Sequence, residues 1–574
     1  VTLYQNRSIQ VRELFFTRGY QSSVEPVLHF GVPHSTGIDS LNVLWPDGKS
    51  QVLRSIGLNQ TLIIKYGEAI PVPHPGYLVD ALFQATEVGF DYRHQENDFD
   101  DFEREVLLPH RMSRLGPGVA VGDINGDDLE DVFIGGAKDQ AGGIFIQQSN
   151  GRFIKSRQPA LSSDRGFEDM DGLFFDADGD QDNDLYVVSG GNEFDTDDPM
   201  LQDRLYLNEN GRMIRSDRLP KMWDSGFRVS ANDFDVDGDL DLFVGGRQVP
   251  GKYPYPARSK LLVNEGGTFT STANLTFDLG MVTDMVWTDY DQDGDADMIV
   301  VGEWMPITFL QNSEGQFSID TEIKGTKSSG GWWYSIKAAD FDQDGDLDYV
   351  VGNNGLNYKY GATDEEPFEI YAGDLDENGR LDIVLGYYDG GSLFPLRGKE
   401  CSSQQIPDLY TKFTTYHDFA SATLKEVYDG YDLQHALKYQ VSTFSTTYLE
   451  NLGGKQFKMM PLPGIAQLSS VNQILIEDLN NDNFLDLILA GNNYQAEVET
   501  TRNDAGKGTI LLGNGMGDFV PMSAIKSGMY LSGDLRDMAW IKLGSENKGV
   551  LSVYNDAPLK FHVLDQNVEN GYKN

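Results

Sequence analysis

The chain has 574 residues, too many for one compact core of ordinary kind, so it holds several domains or one large repeat architecture. Hydrophobic residues make up 40% and aromatics 11%, which excludes global disorder. Asp and Glu number 89 against 45 Lys and Arg, a net charge of −44 that argues against nucleic acid or an anionic membrane as partner. The single cysteine, Cys401, rules out an intrachain disulfide. No run of 18 apolar residues occurs, so no transmembrane helix is expected. The opening "VTLYQNRSIQVREL" is already strand-like and reads as a mature or truncated chain whose signal has been removed.

Residues 1–70 alternate as strands around 28–33, 38–53 and 59–66. Pro46-Asp47-Gly48 is a turn signal between two of them. A small β-sandwich-like module is expected, followed by a linker at 71–77 with the sequence "PVPHPG" at 71–76. Residues 78–574 then form the repeat region.

An acidic nonapeptide recurs there. It supplies oxygen side chains at positions 1, 3, 5 and 9: Asp123, Asn125, Asp127, Asp131; Asp176, Asp178, Asp180, Asp184; Asp233, Asp235, Asp237, Asp241; and Asp289, Asp291, Asp293, Asp297. Three more follow: Asp340, Asp342, Asp344, Asp348; Asp374, Asp376, Asn378, Asp382; and Asp478, Asn480, Asp482, Asp486. A tight loop turns side chains 1, 3 and 5 inward, and the carbonyl of position 7 and carboxylate of position 9 complete an oxygen cage of the kind Ca²⁺ requires. Gly238, Gly294 and Gly345 at position 6 permit the turn. Without a cation, such carboxylates repel or protonate. Position 12 from Asp233 is Val244 and the flanks are strands, so these are not EF-hands. About seven Ca²⁺ ions are expected.

The first five loops start 51 to 57 residues apart, each between strand-like runs such as "FRVSANDF" and "DLFVGGR", with two more strands after. Four antiparallel strands per 50 to 60 residues is the period of a β-propeller blade. The period breaks after the fifth loop. The sixth starts 34 residues on and the seventh 104 after that, room for one blade with an insertion at about 388–444. Residues 445–462 read as the outer strand pair of the interrupted blade. Within the insertion, Leu409, Phe413, Tyr416, Phe419 and Ala420 recur at helical steps, and 407–440 reads as helical. The last unit lacks both the acidic loop and an outer strand, which residues 81–94 are placed to supply. The predicted fold class is all-β: a seven-bladed calcium-binding β-propeller, with eight blades as the alternative if the sixth loop starts its own.

"SSVEPVLHFGVP", "IDSLNVLWPDGKSQ" and "NQTLIIKYGEA" resemble the ASPIC/UnbV module, and the acidic loops resemble FG-GAP/VCBS repeats, the blade type of integrin α-subunit propellers. "GNNGLNYKYG" and "GRQVPGKYPYPARSKLLVNEGG" resemble large secreted or surface proteins of Bacteroidota-type bacteria in which such a module adjoins propellers. The resemblance covers nearly the whole chain. It implies calcium, an extracytoplasmic location and a module that usually extends further N-terminally than Val1.

Catalytic signals are sparse. Histidines 29, 34, 74, 94, 110, 417, 435 and 562 are scattered, with no zinc spacing, GxSxG or Walker A motif. A packing or hydrogen-bonding role is expected for His29. His94 and His110 are placed to line a propeller face. Trp287, Trp304, Trp332, Trp333 and Tyr334 fall in successive blades; inter-blade packing is favoured over a sugar- or partner-binding rim. The insertion and residues 357–367 are the expected recognition surface. The expected function is a non-catalytic, calcium-stabilised binding or scaffold protein, at the cell surface or outer membrane or secreted. It would recognise a protein or glycan in an uptake or adhesion assembly. The alternative is a polysaccharide lyase or glycan hydrolase on a calcium propeller.

Overall fold

A computed structural model describes residues 1–6, 8–33, 37–71, 81–272, 276–544 and 547–565. The linker expected at 71–77, apart from its first residue, and His34 and His74 lie outside them. Two compact units divide the chain at Asp80.

The first unit holds one five-stranded antiparallel sheet, in the order Ser8–Val11, Thr2–Gln5, Ser40–Leu44, Lys49–Leu53, Ile70–Pro71. It is a single sheet rather than a sandwich. The segments 28–33 and 59–66 are irregular rather than stranded. Phe30, Val32, Ile56 and Ile64 instead pack on the buried side chains Leu3, Leu41 and Val43, so the face a second sheet would cover is covered by loops. The Pro46-Asp47-Gly48 turn forms as expected, with Gly48 at φ 81° and its N–H donated to the Trp45 carbonyl at 2.9 Å. His29 is exposed rather than packed.

The second unit consists of small antiparallel sheets. Sheet one is Val119–Gly122, Asp131–Ile134, Gly143–Gln147 and Phe153–Lys155. Sheets two to four begin at Asp169–Phe175, Gly226–Asn232 and Met281–Thr288 and repeat the pattern. Sheet five pairs Ser335–Ala339 and Asp348–Gly352 with the distant Thr447–Asn451 and Phe457–Pro461. Sheet six runs from Gln473–Glu477 to Phe519–Pro521. Sheet seven takes Leu535–Leu543, Asn547–Tyr554 and Lys560–Leu564 from the end of the repeat region and Phe83–Ala85 from its start. The first strands of successive sheets are neighbours, and that of sheet seven neighbours that of sheet one.

Second strands such as Asp241–Gly246 and Asp297–Met305 are buried along their whole length, because both faces meet adjoining sheets. That is why each carries an uninterrupted apolar stretch, Leu242–Val244 in the first and Met298–Val301 in the second. The core is correspondingly divided into slabs between sheets. Phe133 and Ile144 of sheet one pack with Leu185 and Tyr206 of sheet two, while Val132 and Phe145 pack with Leu551 and Phe561 of sheet seven. Nearer the first strands, the Asp171 carboxylate accepts the Val229 N–H at 3.0 Å, Asp284 that of Ile336 at 2.9 Å, and Asp537 that of Val119 at 3.2 Å. Arg228 bridges Asp171 at 3.1 Å and Asp537 at 2.8 Å, so these buried charges are paired.

The excursion between Gly352 and Thr447 carries a further sheet, in the order Ser392–Pro395, Asp382–Asp389, Phe368–Gly373, Leu437–Val441, outside the cycle of first strands. The sixth acidic loop belongs to it. The helical content of this excursion is four short helices, Lys399–Gln405, Asp408–Lys412, Tyr416–Ala420 and Leu424–Val427. The stretch expected to be helical to 440 ends instead in the strand Leu437–Val441, whose partner Phe368–Gly373 is distant in sequence. Leu409 and Phe419 are buried, but Tyr416 faces outward.

Candidate metal loops

Each acidic loop joins the first and second strands of a sheet, and its backbone follows from its own side chains. The position-5 side chain accepts the N–H of position 7 in every loop: 3.0 Å from Leu129 to Asp127, 3.1 Å from Asp182 to Asp180, and 3.0 Å from Asp239 to Asp237. The same bond is 3.0 Å from Asp295 to Asp293, 3.1 Å from Asp346 to Asp344, 2.8 Å from Arg380 to Asn378, and 3.0 Å from Phe484 to Asp482. The position-1 carboxylate collects further N–H groups, as Asp233 does from Asp237 at 3.0 Å and Gly238 at 3.1 Å. These Asx turns curl the chain around its own carboxylates.

Two residues per loop are left-handed, at positions 4 and 6. They are Val236 (φ 62°) and Gly238 (φ 100°) in the third, and Gly179 (φ 79°) and Gln181 (φ 73°) in the second. The sequence places Gly at only one of the two in most loops. The other residue is strained, most of all the β-branched Val236.

One oxygen from each of Asp176, Asp178 and Asp184 lies within 4.8 Å of the others, and the same holds for Asp233, Asp235, Asp241, for Asp289, Asp291, Asp297, and for Asp340, Asp342, Asp344. Asp178 Oδ1, Asp241 Oδ2, Asp291 Oδ1, Asp297 Oδ2 and Asp340 Oδ1 are buried with no hydrogen-bond partner. Burial, with the neighbouring loop carboxylates adding to it, pushes the position-9 carboxyls of Asp131, Asp184 and Asp382 up to about 6. Those of Asp241, Asp297, Asp348 and Asp486 rise to about 7. An oxygen-only set with buried, unpartnered acceptors fits a hard divalent cation.

The loops are not equivalent. Arg218 reaches Asp178 at 3.1 Å and Lys455 reaches Asp291 at 3.2 Å, so basic side chains share the position-3 carboxylate in the second and fourth. In the third loop Asp235 is exposed.

A residue class absent from the sequence reading completes the loops. In sheets two to five an Asn on the third strand donates its N–H to the position-9 carboxylate: Asn208 to Asp184 at 2.7 Å, Asn264 to Asp241 at 2.7 Å, Asn312 to Asp297 at 2.8 Å, Asn451 to Asp348 at 2.9 Å. In the first three of these pairs the Asn side chain also donates to a carbonyl in the preceding loop, Ile124 at 2.8 Å, Ala177 at 3.0 Å and Phe234 at 3.2 Å. Gln147 plays this part in sheet one, reaching Lys542 of sheet seven at 2.9 Å. The signal was the recurring "NENG", "NEGG" and "NSEG".

The other candidates fall elsewhere. Trp304, Trp332 and Trp333 are buried; Trp332 packs edge-on against Trp304, His110, Tyr360 and Phe444. They are inter-sheet core, not a rim. His110 contacts Glu303 at 3.0 Å in a buried cluster with Arg247 and Tyr253, so it does not line an open face. His94 is fully buried and held neutral, its pKa pushed down to about 3 by burial and by Arg536. In 357–367, Tyr360 is buried against Phe368, while 363–366 are exposed. A cavity of about 440 Å³ lies between the first helix of the excursion and the loop after Tyr494, lined by Phe102, Leu107, Arg397, Cys401, Tyr494 and Val498. Among the described residues, no helix is long and apolar enough to cross a membrane.

Residues 1–71 match the family described as ASPIC and UnbV, and residues 233–300 and 289–351 match the FG-GAP-like repeat. No curated protein matches the chain. Among solved structures, the V. cholerae biofilm matrix protein Bap1 is similar at 10% identity and TM-score 0.32, over 84% of this chain and 91% of that one. Sqt1 of Saccharomyces cerevisiae is similar at 11% identity and TM-score 0.36, over 79% and 96%. BBS1N, solved in complex with ARL6DN, gives 10% identity and TM-score 0.36 over 80% and 94%. The matched repeats coincide with the third to fifth acidic loops, and the chain thus carries FG-GAP-like repeats within residues 233–351 and an ASPIC/UnbV module in residues 1–71.

Proposed function

We propose that this chain is a non-catalytic binding or scaffold protein built on a seven-bladed propeller whose acidic loops hold Ca²⁺. The cyclic neighbourhood of seven first strands supports the blade count, with the sixth loop's sheet as an appendage to the fifth blade. The observation that carries the calcium assignment is the split role of the position-9 aspartates. In the third and fourth loops one oxygen accepts a third-strand N–H while the other is buried and unpartnered. A cation there ties loop to sheet, and its chemistry is structural neutralisation and cross-linking. The position-1, -3, -5 and -9 side chains of the seven loops would hold it. FG-GAP repeats suit an extracytoplasmic setting, where calcium is abundant enough for such modules, and we assign the protein to the cell surface, the outer membrane or a secreted state.

The recognition surface is the cavity beside Val498, which is 99% exposed, and Arg397, where apolar side chains surround a few polar groups. A protein or glycan partner, in an uptake or adhesion assembly, is the ligand class. The test has two arms. Chelation with EDTA is expected to lower the melting temperature by several degrees or more, since each site saturated at about 100 times its Kd adds roughly 2.7 kcal/mol. An unchanged melt removes the calcium assignment. Binding of the full chain to glycan arrays and outer-membrane fractions is expected to weaken at least tenfold with Val498→Glu. Depolymerisation of an array glycan by the purified chain would replace this reading with a lyase or hydrolase.

A further inference from the structure

A second carboxylate set stands apart from the acidic loops. Glu168 immediately precedes Asp169–Phe175, whose far end runs into the loop at Asp176. Glu193 follows Asp184–Ser189, which starts at the end of that loop. Both therefore sit at the strand ends remote from the acidic loops. Glu96 joins them from the segment between Phe83–Ala85 and the first strand of sheet one.

One carboxylate oxygen from each of the three lies within 4.8 Å of the others. Each carboxylate is anchored by its other contacts. Glu96 Oε1 accepts from Asn555 Nδ2, Glu168 Oε2 from the Lys138 N–H at 2.6 Å, and Glu193 Oε2 from the Asn192 N–H at 2.8 Å. The remaining oxygens, Glu96 Oε2, Glu168 Oε1 and Glu193 Oε1, are buried and have no partner. Glu168 is 0% exposed and the Glu96 side chain 2%. The convergence is built into the backbone: Gly191 is left-handed at φ 89°, and a Cβ there would meet Glu193 Oε2 at 2.4 Å and Glu168 Cγ at 3.0 Å.

The charges do not balance. His94, 4.0 Å from Glu96, is held neutral by its burial. Arg536 acts on Glu96 but is committed to Asp534 at 2.9 Å. Arg114 also acts on Glu96, which leaves about two negative charges uncompensated in a buried place. Burial raises Glu96 to about 7, burial with the Glu96 charge raises Glu193 to about 8, and burial with the Glu193 and Glu96 charges raises Glu168 well above the usual carboxylate range. Buried, unpaired carboxylates take up a proton or a cation.

We propose that Glu96, Glu168 and Glu193 form a separate site for a hard divalent cation, Ca²⁺ or Mn²⁺, bound through carboxylate oxygens alone. The site carries no nitrogen or sulfur donor among its three members, which disfavours zinc and copper. Its place gives it a task. Glu96 is held by Asn555, which directly follows the strand Asn547–Tyr554 of sheet seven and whose side chain also donates to the Gly116 carbonyl at 2.9 Å. The cation would clasp sheet two to the segment that follows the ring-closing strand Phe83–Ala85.

The experiment is an anomalous difference map from crystals of the full chain soaked in MnCl₂, with bound metal counted in solution for variants. A peak among the three glutamates is expected. Glu193→Gln is expected to lose one metal equivalent, Asp235→Ala a different one, and the double variant two. Peaks at the acidic loops with none at the glutamates overturn the proposal, as does an unchanged metal count in Glu193→Gln. A glutamate peak without loop peaks supports it while removing the loop assignment. The soak uses the unmodified chain, so the outcome does not depend on the variant folding.

Discussion

Asn264 donates its backbone N–H to one carboxylate oxygen of Asp241 at 2.7 Å, while the other oxygen of Asp241 is buried with no partner. One side chain thus belongs half to the sheet and half to the loop. Asn264 extends the link: its Nδ2 donates to the Ala177 carbonyl of the preceding loop at 3.0 Å and to Leu240 at 3.2 Å, and its Oδ1 accepts from Gly267 at 2.8 Å.

Asn264→Ala removes those three side-chain bonds and leaves buried carbonyls unpaired. A loss of about 2–4 kcal/mol is expected from denaturant unfolding in saturating Ca²⁺. A change below about 0.5 kcal/mol would show that the link between loops is incidental.

Val236 holds φ 62° while its side chain is 84% exposed, so it suffers left-handed strain without packing in return. Val236→Gly is expected to stabilise the protein by about 0.5–1 kcal/mol, the relieved strain less the extra entropy of an unfolded glycine. Metal stoichiometry should not change. Destabilisation in thermal melts, with or without calcium, contradicts the strain argument.

The third and fourth loops differ in competition for position 3. Asp291 is already shared with Lys455, whereas Asp235 is not paired with a basic group among the described residues. Lys455→Met is expected to raise calcium affinity at the fourth loop roughly tenfold, since affinity follows the charge available to the ion. Titration of the two loop sites, resolved with Asp235→Ala and Asp291→Ala backgrounds, measures it. Equal affinities before and after the substitution refute the competition.

The pH dependence has a definite sign. In the metal-free chain the position-9 carboxyls of Asp241, Asp297, Asp348 and Asp486 stand near 7, and those of Asp131, Asp184 and Asp382 near 6. Unfolded aspartates release their protons near 4. Between these values the folded chain binds more protons, so metal-free stability falls as pH rises from about 4 to about 7. His94 and His562, depressed by burial to about 3 and about 4, act in the opposite direction below about 6.5, but they are two against seven. Melts in EDTA are expected to be highest near pH 4–5 and to decline as pH rises to about 7. Saturating calcium should abolish the decline, because the ion takes the place of the protons. A metal-free melt that rises steadily to pH 8 runs against these assignments.

Much of this was legible without the tertiary structure because the loops are local. Nine residues with oxygens at positions 1, 3, 5 and 9 make their own turns, and an antiparallel hairpin needs only its neighbours. The strands flanking Asp233 and Asp289 were readable for the same reason, as apolar runs buried on both faces. The return of 81–94 to the last sheet followed from that sheet lacking a strand, and Phe83–Ala85 does pair with Lys560–Leu564. Local pattern failed where partners are distant. Residues 437–440 looked helical but belong to a strand paired with 368–372, and 28–33 and 59–66 looked like strands but lie as loops on the sheet of the first unit.

By itself the sequence determined the repeat, its all-β character and the oxygen spacing of each loop, since all three depend on contacts within a few tens of residues. Only the tertiary structure decided that Asn264 and its equivalents bind one loop to the next. It also fixed the edge-on packing of Trp332 against Trp304, His110 and Tyr360 and gathered Glu96, Glu168 and Glu193 into one cluster. Those relationships join residues far apart along the chain. They exist only once closure of the ring has fixed which sheets are neighbours and which carboxylates are cut off from water.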